Sequence, residues 1–300
     1  MQDQTNLPTE LSTLSLTKES TVLPDPTSDL HWSDFRGAIH DIFAANAERH
    51  PNRLCVAEKA SETTPRREFT YSQINGASNI LAHHLVASGV QRREVVMVYA
   101  YRGVDLVVAV MGVFKAGATF SVIDPAYPPD GQIIYLEVAQ PRALVVIEKA
   151  TKEAGKLTDK VRSFIKENLR LRTEVPGLLI RDNGTLLGGF VNGTDVLTSQ
   201  SALSAKPPGI IVGPDSTPTL SFTSGSEGRP KGVRGRHFSL AYYFPWMSER
   251  FNLTKDDRFT MLSGIAHDIP FSVISSPGCS SGLIFSYRRR KTFSMSDWQS

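Results

Sequence analysis

Residues 94–123 read EVVMVYAYRGVDLVVAVMGVFKAGATFSVI, and this stretch decides the predicted fold. Residues 94–100, which are apolar from Val95 onward, predict a buried strand, and Val104 to Ala116 predicts a mostly apolar helix that ends at Gly117. A second short strand is predicted at 119–123. Because parallel strands need a crossover connection, a strand, a helix and a strand in this order indicate a parallel sheet covered by helices.

The same alternation continues on both sides of this unit. Upstream, apolar residues at helical spacing predict a helix from Tyr71 to Ser88 that ends at Gly89. Downstream, the predicted order is a turn at 124–129, a helix at 132–139, a strand at 143–147, a basic amphipathic helix with a solvated face at 158–172, and a strand at 210–212. The fold class is therefore predicted to be α/β.

The composition is that of an ordinary globular protein. Of 300 residues, 40% are hydrophobic and 21% are charged, which excludes a wholly disordered chain or a membrane bundle. A formal net charge of +3 gives no reason to expect nucleic acid as a partner. Cys55 and Cys279 form neither a disulfide framework nor a metal cluster. With no recognisable signal peptide we expect a cytoplasmic location, and no glycosylation of the N-x-Thr patterns at Asn183, Asn192 and Asn252.

The sequence LSFTSGSEGRPKGV at 220–233 combines groups that bind phosphate. A short strand is predicted to end at Thr223, and a loop of hydroxyls and glycines follows. Gly225 and Gly228 allow close backbone approach, and successive backbone N–H groups in such a loop form an anion site. Lys231 adds a mobile positive charge. The hydroxyl donors of the segment are Thr223, Ser224 and Ser226.

Two other interpretations of this loop deserve comparison. In a Walker A motif four residues separate the glycines, and Ser or Thr follows the lysine. In this chain two residues separate Gly225 from Gly228, and Gly232 follows Lys231, so a P-loop kinase is disfavoured. A flexible surface hairpin is the alternative for any loop rich in Gly and Ser, and the full string over 223–232 argues against it.

Three segments resemble the signature motifs of the adenylate-forming superfamily, which includes acyl-CoA synthetases, luciferases and peptide-synthetase adenylation domains. Residues 223–232 are similar to its phosphate-binding signature, with Glu227 in place of the commoner Thr, and 69–74 and 114–128 are similar to the first two core motifs. The resemblance implies the N-terminal portion of an adenylate-forming domain, an α/β fold with mixed sheets covered by helices. The implied ATP phosphate-binding residues are Thr223, Ser224, Gly225, Ser226, Glu227, Gly228 and Lys231.

Within this superfamily, residues 232–268 resemble the fungal members that reduce 2-aminoadipate in lysine biosynthesis. The resemblance implies that ATP and Mg²⁺ convert the side-chain carboxylate of L-2-aminoadipate to an acyl-adenylate. In the full-length parent, a phosphopantetheine thiol, attached by a phosphopantetheinyl transferase, then takes the acyl group and NADPH reduces it. His267 and Asp268 match the motif that lines the acyl pocket, and for His267 a structural histidine near a strand end is the alternative. No nucleic acid or membrane partner is implied.

The resemblance stops after Asp268. Read in a shifted frame, codons from Gly278 onward can encode a peptide that resembles the reductases, so we expect residues 269–300 to result from a frameshift or mis-splicing. The predicted organisation is a loosely ordered arm at 1–32, a partial adenylation domain at 33–268 and an aberrant tail at 269–300. We expect such a truncated chain to lack a complete catalytic set and to be inactive alone. Another adenylating enzyme and a non-catalytic fragment stay open as alternatives.

Overall fold

The structure is a computed structural model that describes residues 35, 37–60, 65–223, 230–251, 254, 257, 259–260 and 283–285. The predicted arm at 1–32 lies outside these residues. The helices are α1 (Ile39–Arg49), α2 (Tyr71–Ala87), α3 (Val104–Lys115), α4 (Pro129–Ala139), α5 (Glu148–Ala154), α6 (Asp159–Asn168), a 3₁₀ helix (Thr198–Leu203) and α7 (His237–Arg250). The strands are β1 (Leu54–Glu58), β2 (Arg67–Thr70), β3 (Val95–Tyr99), β4 (Thr119–Ile123), β5 (Ala143–Ile147), β6 (Thr173–Ile180), β7 (Leu186–Leu187), β8 (Phe190–Val191), β9 (Thr194–Asp195), β10 (Thr219–Thr223), β11 (Lys231–Gly235), β12 (Phe259–Thr260) and β13 (Leu283–Phe285).

Seven strands form the main sheet, in the order β11-β10-β4-β3-β5-β6-β7. The five central strands run parallel, whereas β11 and β7 pair antiparallel at the two edges. Every residue of β3, β4 and β5 is buried, as expected for parallel strands that helices cover on both faces. The predicted α/β fold with a mixed sheet is confirmed.

Helices cover both faces of this sheet because of the strand order. Strands β4 and β5 lie on opposite sides of β3, so the crossovers from β3 to β4 and from β4 to β5 run in opposite directions across the sheet. Because both crossovers are right-handed, α3 and α4 lie on opposite faces. Helix α3 packs against α2 and α1, and α4 packs against α6. The α2–α3 contact is so close that a Cβ at Gly112 would lie 2.7 Å from Leu81 Cδ2. Only glycine fits there without displacing the neighbouring helix.

A second sheet has the order β12-β13-β1-β2. Strand β13 lies between β12 and β1 and runs parallel to both, with Val56 opposite Leu283. This strand falls within the segment predicted to be an aberrant tail. The three domain boundaries stay predictions.

The strand–helix–strand unit was the best predicted part of the chain. Strands β4 and β5 have the predicted bounds, and α3 ends one residue before the predicted Ala116. Helix α2 ends at Ala87 with Gly89 at φ +82°, the left-handed conformation typical of a helix C-terminus. Its start carries a capping box formed by Thr70 and Gln73.

Three predicted elements need correction. The basic helix predicted over 158–172 ends at Asn168, since Leu169 is extended (φ −113°, ψ 150°) and the Arg172 N–H donates to the carbonyl of Arg142 at 2.6 Å, beside the start of β6. The Arg172 side chain forms two hydrogen bonds of 2.9 and 2.8 Å with the Glu94 carboxylate. Helix α4 begins at Pro129 within the predicted turn, where proline suits a first helical turn. The strand predicted at 210–212 is wrong, since this segment has no ladder and the carbonyl of Ile211 accepts from the Arg92 side chain at 2.7 Å.

No helix in the part of the chain that the structure describes is both long enough and apolar enough to cross a bilayer. The cytoplasmic location stays a prediction.

Candidate functional site

The β10–β11 hairpin carries the described ends of the predicted phosphate-binding segment. Strand β10 ends at Thr223, as predicted, and β11 begins at Lys231, with these two residues directly opposite each other in the antiparallel register. Both residues are exposed. The structure therefore brings one hydroxyl and one ammonium group to the base of the connecting loop. The other predicted phosphate-binding residues lie outside the described residues, namely Ser224, Gly225, Ser226, Glu227 and Gly228.

The hairpin lies at the carboxyl edge of the main sheet. Strand β10 runs parallel to β4 with Thr219 opposite Phe120, so the two strands end at the same edge of the sheet. In open α/β sheets, ligands bind outside the carboxyl ends of the strands. Thr223 is the last residue of β10 and thus occupies the position where a ligand is expected.

Hydroxyl groups of β4 attach β10 to the sheet. Ser121 Oγ donates to the carbonyl of Leu220 at 2.9 Å, and Thr119 Oγ1 donates to the carbonyl of Thr217 at 2.6 Å. Both hydroxyl residues are buried in an otherwise apolar strand. Their partners are almost 100 residues away along the chain, so no local sequence pattern indicates this role.

An aromatic stack fixes the end of β10 next to Thr223. The buried ring of Phe222 stacks on Tyr135 of α4 with 4.4 Å between centroids and 20° between planes. Tyr135 in turn meets Tyr127 edge-on at 5.3 Å. Such aromatic pairs contribute about 0.5–1.5 kcal/mol beyond the burial of their area. The stack holds the strand end against α4 while Thr223 itself stays exposed.

Two glycines of β11 allow the hairpin strands to pack closely. A Cβ at Gly232 would lie 3.0 Å from Leu220 Cδ1, and a Cβ at Gly235 would lie 2.4 Å from Thr219 Oγ1. Neither glycine was singled out from the sequence for this reason. A side chain at Gly235 would therefore displace the side chain of Thr219, its partner on the opposite strand.

Two further side chains line the same edge of the sheet. After β4, Asp124 Oδ1 accepts from the N–H of Ala126 at 2.9 Å and so closes the turn. At the end of β3, the Tyr99 hydroxyl donates to the carbonyl of Gly155 at 3.0 Å. Burial raises the pKa of Tyr99, and the nearby Tyr101 and Asp124 raise it further. Tyr99 therefore stays neutral and anchors the turn after α5.

A buried lysine links α2 and α3, and the sequence analysis missed it. Lys115 Nζ donates to Asn75 Oδ1 at 2.6 Å and, at 2.7 Å each, to Ser78 Oγ and Asn79 Oδ1. Its side chain is almost completely buried, and burial lowers its pKa to about 7. The available signal was a lysine at the end of a mostly apolar helix. Because its donors are used within the fold, its role is structural.

A pair of buried histidines joins α1 to the start of α7. The rings of His40 and His237 meet at 5.5 Å and 68°, and His237 Nδ1 accepts from the N–H of Ile39 at 3.3 Å. Burial lowers the pKa of both histidines to about 3, so both are neutral near pH 7. This pair lies directly after β11 and fixes the chain as it leaves the hairpin.

A buried ionic cluster joins the second sheet to the main sheet. Asp105 Oδ1 accepts from the N–H of Ile180 at 2.7 Å, and Asp105 Oδ2 lies 3.5 Å from Arg67 Nη1. The same Arg67 nitrogen lies 3.7 Å from Glu58 Oε2. Burial raises the pKa of Asp105 to about 6, although the Arg67 charge acts in the opposite direction. The cluster connects the two sheets, away from the candidate site.

The remaining predicted site residues, His267 and Asp268, lie outside the described residues. Among the residues that the structure does describe, no group of three or more His, Cys, Asp or Glu side chains could hold a metal ion. The described part of the site thus consists of the β10–β11 hairpin and the turns beside it.

Comparison with known proteins agrees with the adenylate-forming resemblance. The family model described as AMP-binding enzyme matches residues 43–298. The chain is 74% identical over 247 residues to the L-2-aminoadipate reductase large subunit of Penicillium chrysogenum, which covers 82% of this chain and 18% of that protein. It is 62% identical over 251 residues to the L-2-aminoadipate reductase of Schizosaccharomyces pombe, with 82% of this chain and 17% of that protein covered. The chain therefore spans about a fifth of the length of these curated relatives.

Solved structures show the same fold. The AMPPNP-bound form of the nonribosomal peptide synthetase FmoA3 superposes with a TM-score of 0.65 at 21% identity, over 86% of this chain and 24% of that one. At this identity the likeness establishes the fold alone.

Proposed function

The chain belongs to the AMP-binding enzyme family, and we propose from this that it forms the ATP-binding part of a domain that adenylates L-2-aminoadipate. The acyl-adenylate of the side-chain carboxylate would be the first step in its reduction to the semialdehyde. The choice of substrate is supported by the name of relatives that are 74% and 62% identical to this chain.

The observation that carries the proposal is the position of Thr223 and Lys231. They face each other at the end of β10, at the edge of the sheet where ligands of α/β folds bind. A hydroxyl donor and a mobile cation at the base of a glycine-rich loop suit the β- and γ-phosphates of ATP. The loop residues between them, from Ser224 to Gly228, complete the proposed phosphate site.

The proposed reaction needs positioning and charge neutralisation more than covalent chemistry by the protein. A carboxylate oxygen of the substrate forms a bond to the α-phosphorus of ATP, and the bond from that phosphorus to the bridging oxygen breaks. Pyrophosphate leaves with the electron pair. Lys231 and the Thr223 hydroxyl would stabilise the charge that develops on the leaving phosphates. His267 and Asp268 are proposed to line the acyl pocket.

Mg²⁺ belongs to the MgATP substrate in this proposal. Magnesium prefers phosphate oxygens with one or two carboxylates, and the described residues near the hairpin offer a hydroxyl and an ammonium group instead. No step is therefore assigned to an ion held by these residues.

Further cofactors belong to the longer relatives. If the parent protein resembles the reductases throughout, a carrier domain would hold phosphopantetheine, attached by a phosphopantetheinyl transferase, and a further domain would use NADPH. These are proposals about a parent about five times longer than this chain.

ATP binding by the 300-residue chain tests the site directly. In equilibrium dialysis with labelled MgATP, we expect Lys231→Gln to raise Kd at least about tenfold, because hydrogen bonds to charged groups contribute about 1.5–3 kcal/mol. Lys206→Gln is the matched control, since Lys206 is also exposed and its carbonyl contacts His83 of α2 rather than the hairpin. Equal Kd values for the two variants would refute the assignment of Lys231.

Aminoadipate-dependent exchange of pyrophosphate into ATP then tests the activity. The Penicillium chrysogenum relative serves as the positive control. Exchange by this chain with L-2-aminoadipate supports the full proposal, and exchange only with other carboxylic acids indicates a different adenylating enzyme. ATP binding without exchange identifies a non-catalytic fragment.

A further inference from the structure

The chain contains the sequence Asn-Gly-Thr twice within a dozen residues, at 183–185 and at 192–194. Both asparagines are exposed, and both following glycines have positive φ, +85° at Gly184 and +80° at Gly193. The two sites thus have the same local sequence, and both asparagines are exposed. The hydrogen bonds around the two asparagines differ.

Hydrogen bonds hold the first Asn-Gly pair on both sides. The Gly184 N–H donates to the carbonyl of Arg181 at 2.7 Å, and Asn183 Oδ1 accepts from the Thr185 N–H at 3.0 Å. A Cβ at Gly184 would lie only 3.2 Å from Gln73 Cγ of α2, so this turn also packs against the body of the protein. The amide carbon of Asn183 and the nitrogen of Gly184 are each fixed in place.

The second Asn-Gly pair forms the tip of the β8–β9 hairpin. Val191 pairs with Thr194, which leaves Asn192 and Gly193 as a two-residue turn. Their φ values of +50° and +80° are those of a type I′ turn. In the described part of the chain, no hydrogen bond involves the Asn192 side chain or the Gly193 N–H, and no atom lies within 4 Å of a Cβ built on Gly193.

We propose that Asn192 is a site of spontaneous deamidation and that Asn183 is protected from it. After loss of its proton to solvent base, the Gly193 nitrogen forms a bond to Asn192 Cγ. The bond from Cγ to Nδ2 breaks, and ammonia leaves with the added proton. Water then opens the resulting succinimide at either carbonyl and leaves aspartate or isoaspartate. The co-reactant is water alone, and no oxidation or reduction occurs.

The structure also limits the consequence of this change. Isoaspartate places an extra carbon in the main chain of a two-residue turn, so the pairing of Val191 with Thr194 cannot be kept. Below the tip, the Asp195 carboxylate accepts hydrogen bonds from the N–H groups of Gly188, Gly189 and Leu197. We expect this anchor to confine the change to the hairpin, which would gain one negative charge.

The test compares the two asparagines in the same molecule, native and unfolded. The full chain is incubated at mildly alkaline pH with and without denaturant and digested with chymotrypsin, because cleavage after Phe190 separates the two sites. Mass spectrometry then measures the replacement of amide by carboxylate at each site. In the native chain we expect Asn192 to react at least about tenfold faster, because reaction at Asn183 must first break two hydrogen bonds.

In denaturant we expect similar rates at both sites, since the reacting sequence is identical. Equal native rates, or a faster rate at Asn183, would overturn the proposal. If the ratio of the rates at Asn192 and Asn183 were the same in denaturant as in the native chain, the proposal would also be overturned, because local sequence and not structure would then cause the difference in rate. Labelling by isoaspartyl methyltransferase gives a second readout, which Asn192→Gln should reduce strongly and Asn183→Gln should leave largely unchanged. Asn75–Gly76, a further Asn-Gly pair, lies within helix α2 and contributes the same background to both variants.

Discussion

Replacing Asp105 by asparagine should remove a pH dependence of the free energy of unfolding that the buried carboxyl group causes. Asp105 is 1% exposed, and burial raises its pKa from an ordinary 3.8 to about 6. Between these two values the folded state binds more protons than the unfolded state. The contribution of Asp105 to stability is therefore largest below pH 3.8 and falls as the pH rises through 6.

The magnitude follows from the two pKa values. A pKa difference of one unit corresponds to 1.36 kcal/mol, so the shift from 3.8 to about 6 corresponds to about 3 kcal/mol. Asparagine cannot ionise, and its side-chain carbonyl can still accept the hydrogen bond from the Ile180 N–H. The free energy of unfolding of Asp105→Asn minus that of the original chain should therefore increase by about 3 kcal/mol from acid pH to neutral pH.

Urea unfolding of both chains measures this difference. The free energy of unfolding is determined below pH 3.8 and above pH 6, and the difference between variant and original is compared at the two pH values. The contributions of other titrating groups cancel when the two chains are compared at each pH, because both chains contain these groups. The matched control is Asp182→Asn, since Asp182 contacts the same Arg67 at 3.4 Å but is 80% exposed. We expect the control to change stability by less than about 0.5 kcal/mol at either pH.

Two results would refute this reasoning. If the difference between the Asp105→Asn variant and the original chain stays constant with pH, the Arg67 charge balances the burial of the carboxylate and the pKa stays at its ordinary 3.8. If the difference moves against the variant as the pH rises, the Arg67 charge outweighs the burial, and the pKa lies below 3.8.

Two further predictions concern the helix contact and the histidine pair. Gly112→Ala would place its Cβ 2.7 Å from Leu81 Cδ2, so we expect urea unfolding to show a loss of about 1–3 kcal/mol in the free energy of unfolding. Gly131→Ala, in an open position on α4, is the control and should cause no loss. Equal effects of the two substitutions would show that the α2–α3 contact can relax. Because burial lowers the pKa of His40 and His237 from 6.5 to about 3, the unfolded state binds more protons between these values and stability should fall as the pH falls through this window. His237→Asn should reduce the slope of stability against pH by up to about 1.36 kcal/mol per pH unit, and an unchanged slope would contradict the burial of a neutral imidazole.

The central strands of the main sheet could be predicted from their local sequence. The apolar runs of β3, β4 and β5 are buried at every position, so their sequence alone identifies them as central parallel strands. The end of α6 could not be predicted in this way. Beyond it the chain joins the main sheet, where the Arg172 side chain bonds to Glu94, 78 residues earlier in the chain, and the Arg172 N–H donates to the carbonyl of Arg142.

In the candidate site, too, local features could be predicted and contacts between distant residues could not. The end of β10 at Thr223 was predicted because the change from apolar strand to Ser- and Gly-rich loop is local. The stack of Tyr135 on Phe222 joins residues far apart in sequence, and the acceptors of Lys115 come from a different helix. These contacts exist only once the sheet order is known, so no local pattern could have indicated them.

The attachment of the β10–β11 hairpin suits a ligand-binding role. All residues of β11 except Gly235 are exposed, and β10 is held to the sheet by its pairing with β4, the hydroxyl groups of Thr119 and Ser121, and the Phe222 stack. The helices and strands between α1 and β6 bury most of the apolar core independently of this edge. Ligand-binding segments are drawn from the less stable parts of a fold, because binding must be able to reorganise them without unfolding the core. The hairpin meets this condition, because Thr223 and Lys231 stay exposed while the stack holds the end of β10 at the carboxyl edge of the sheet.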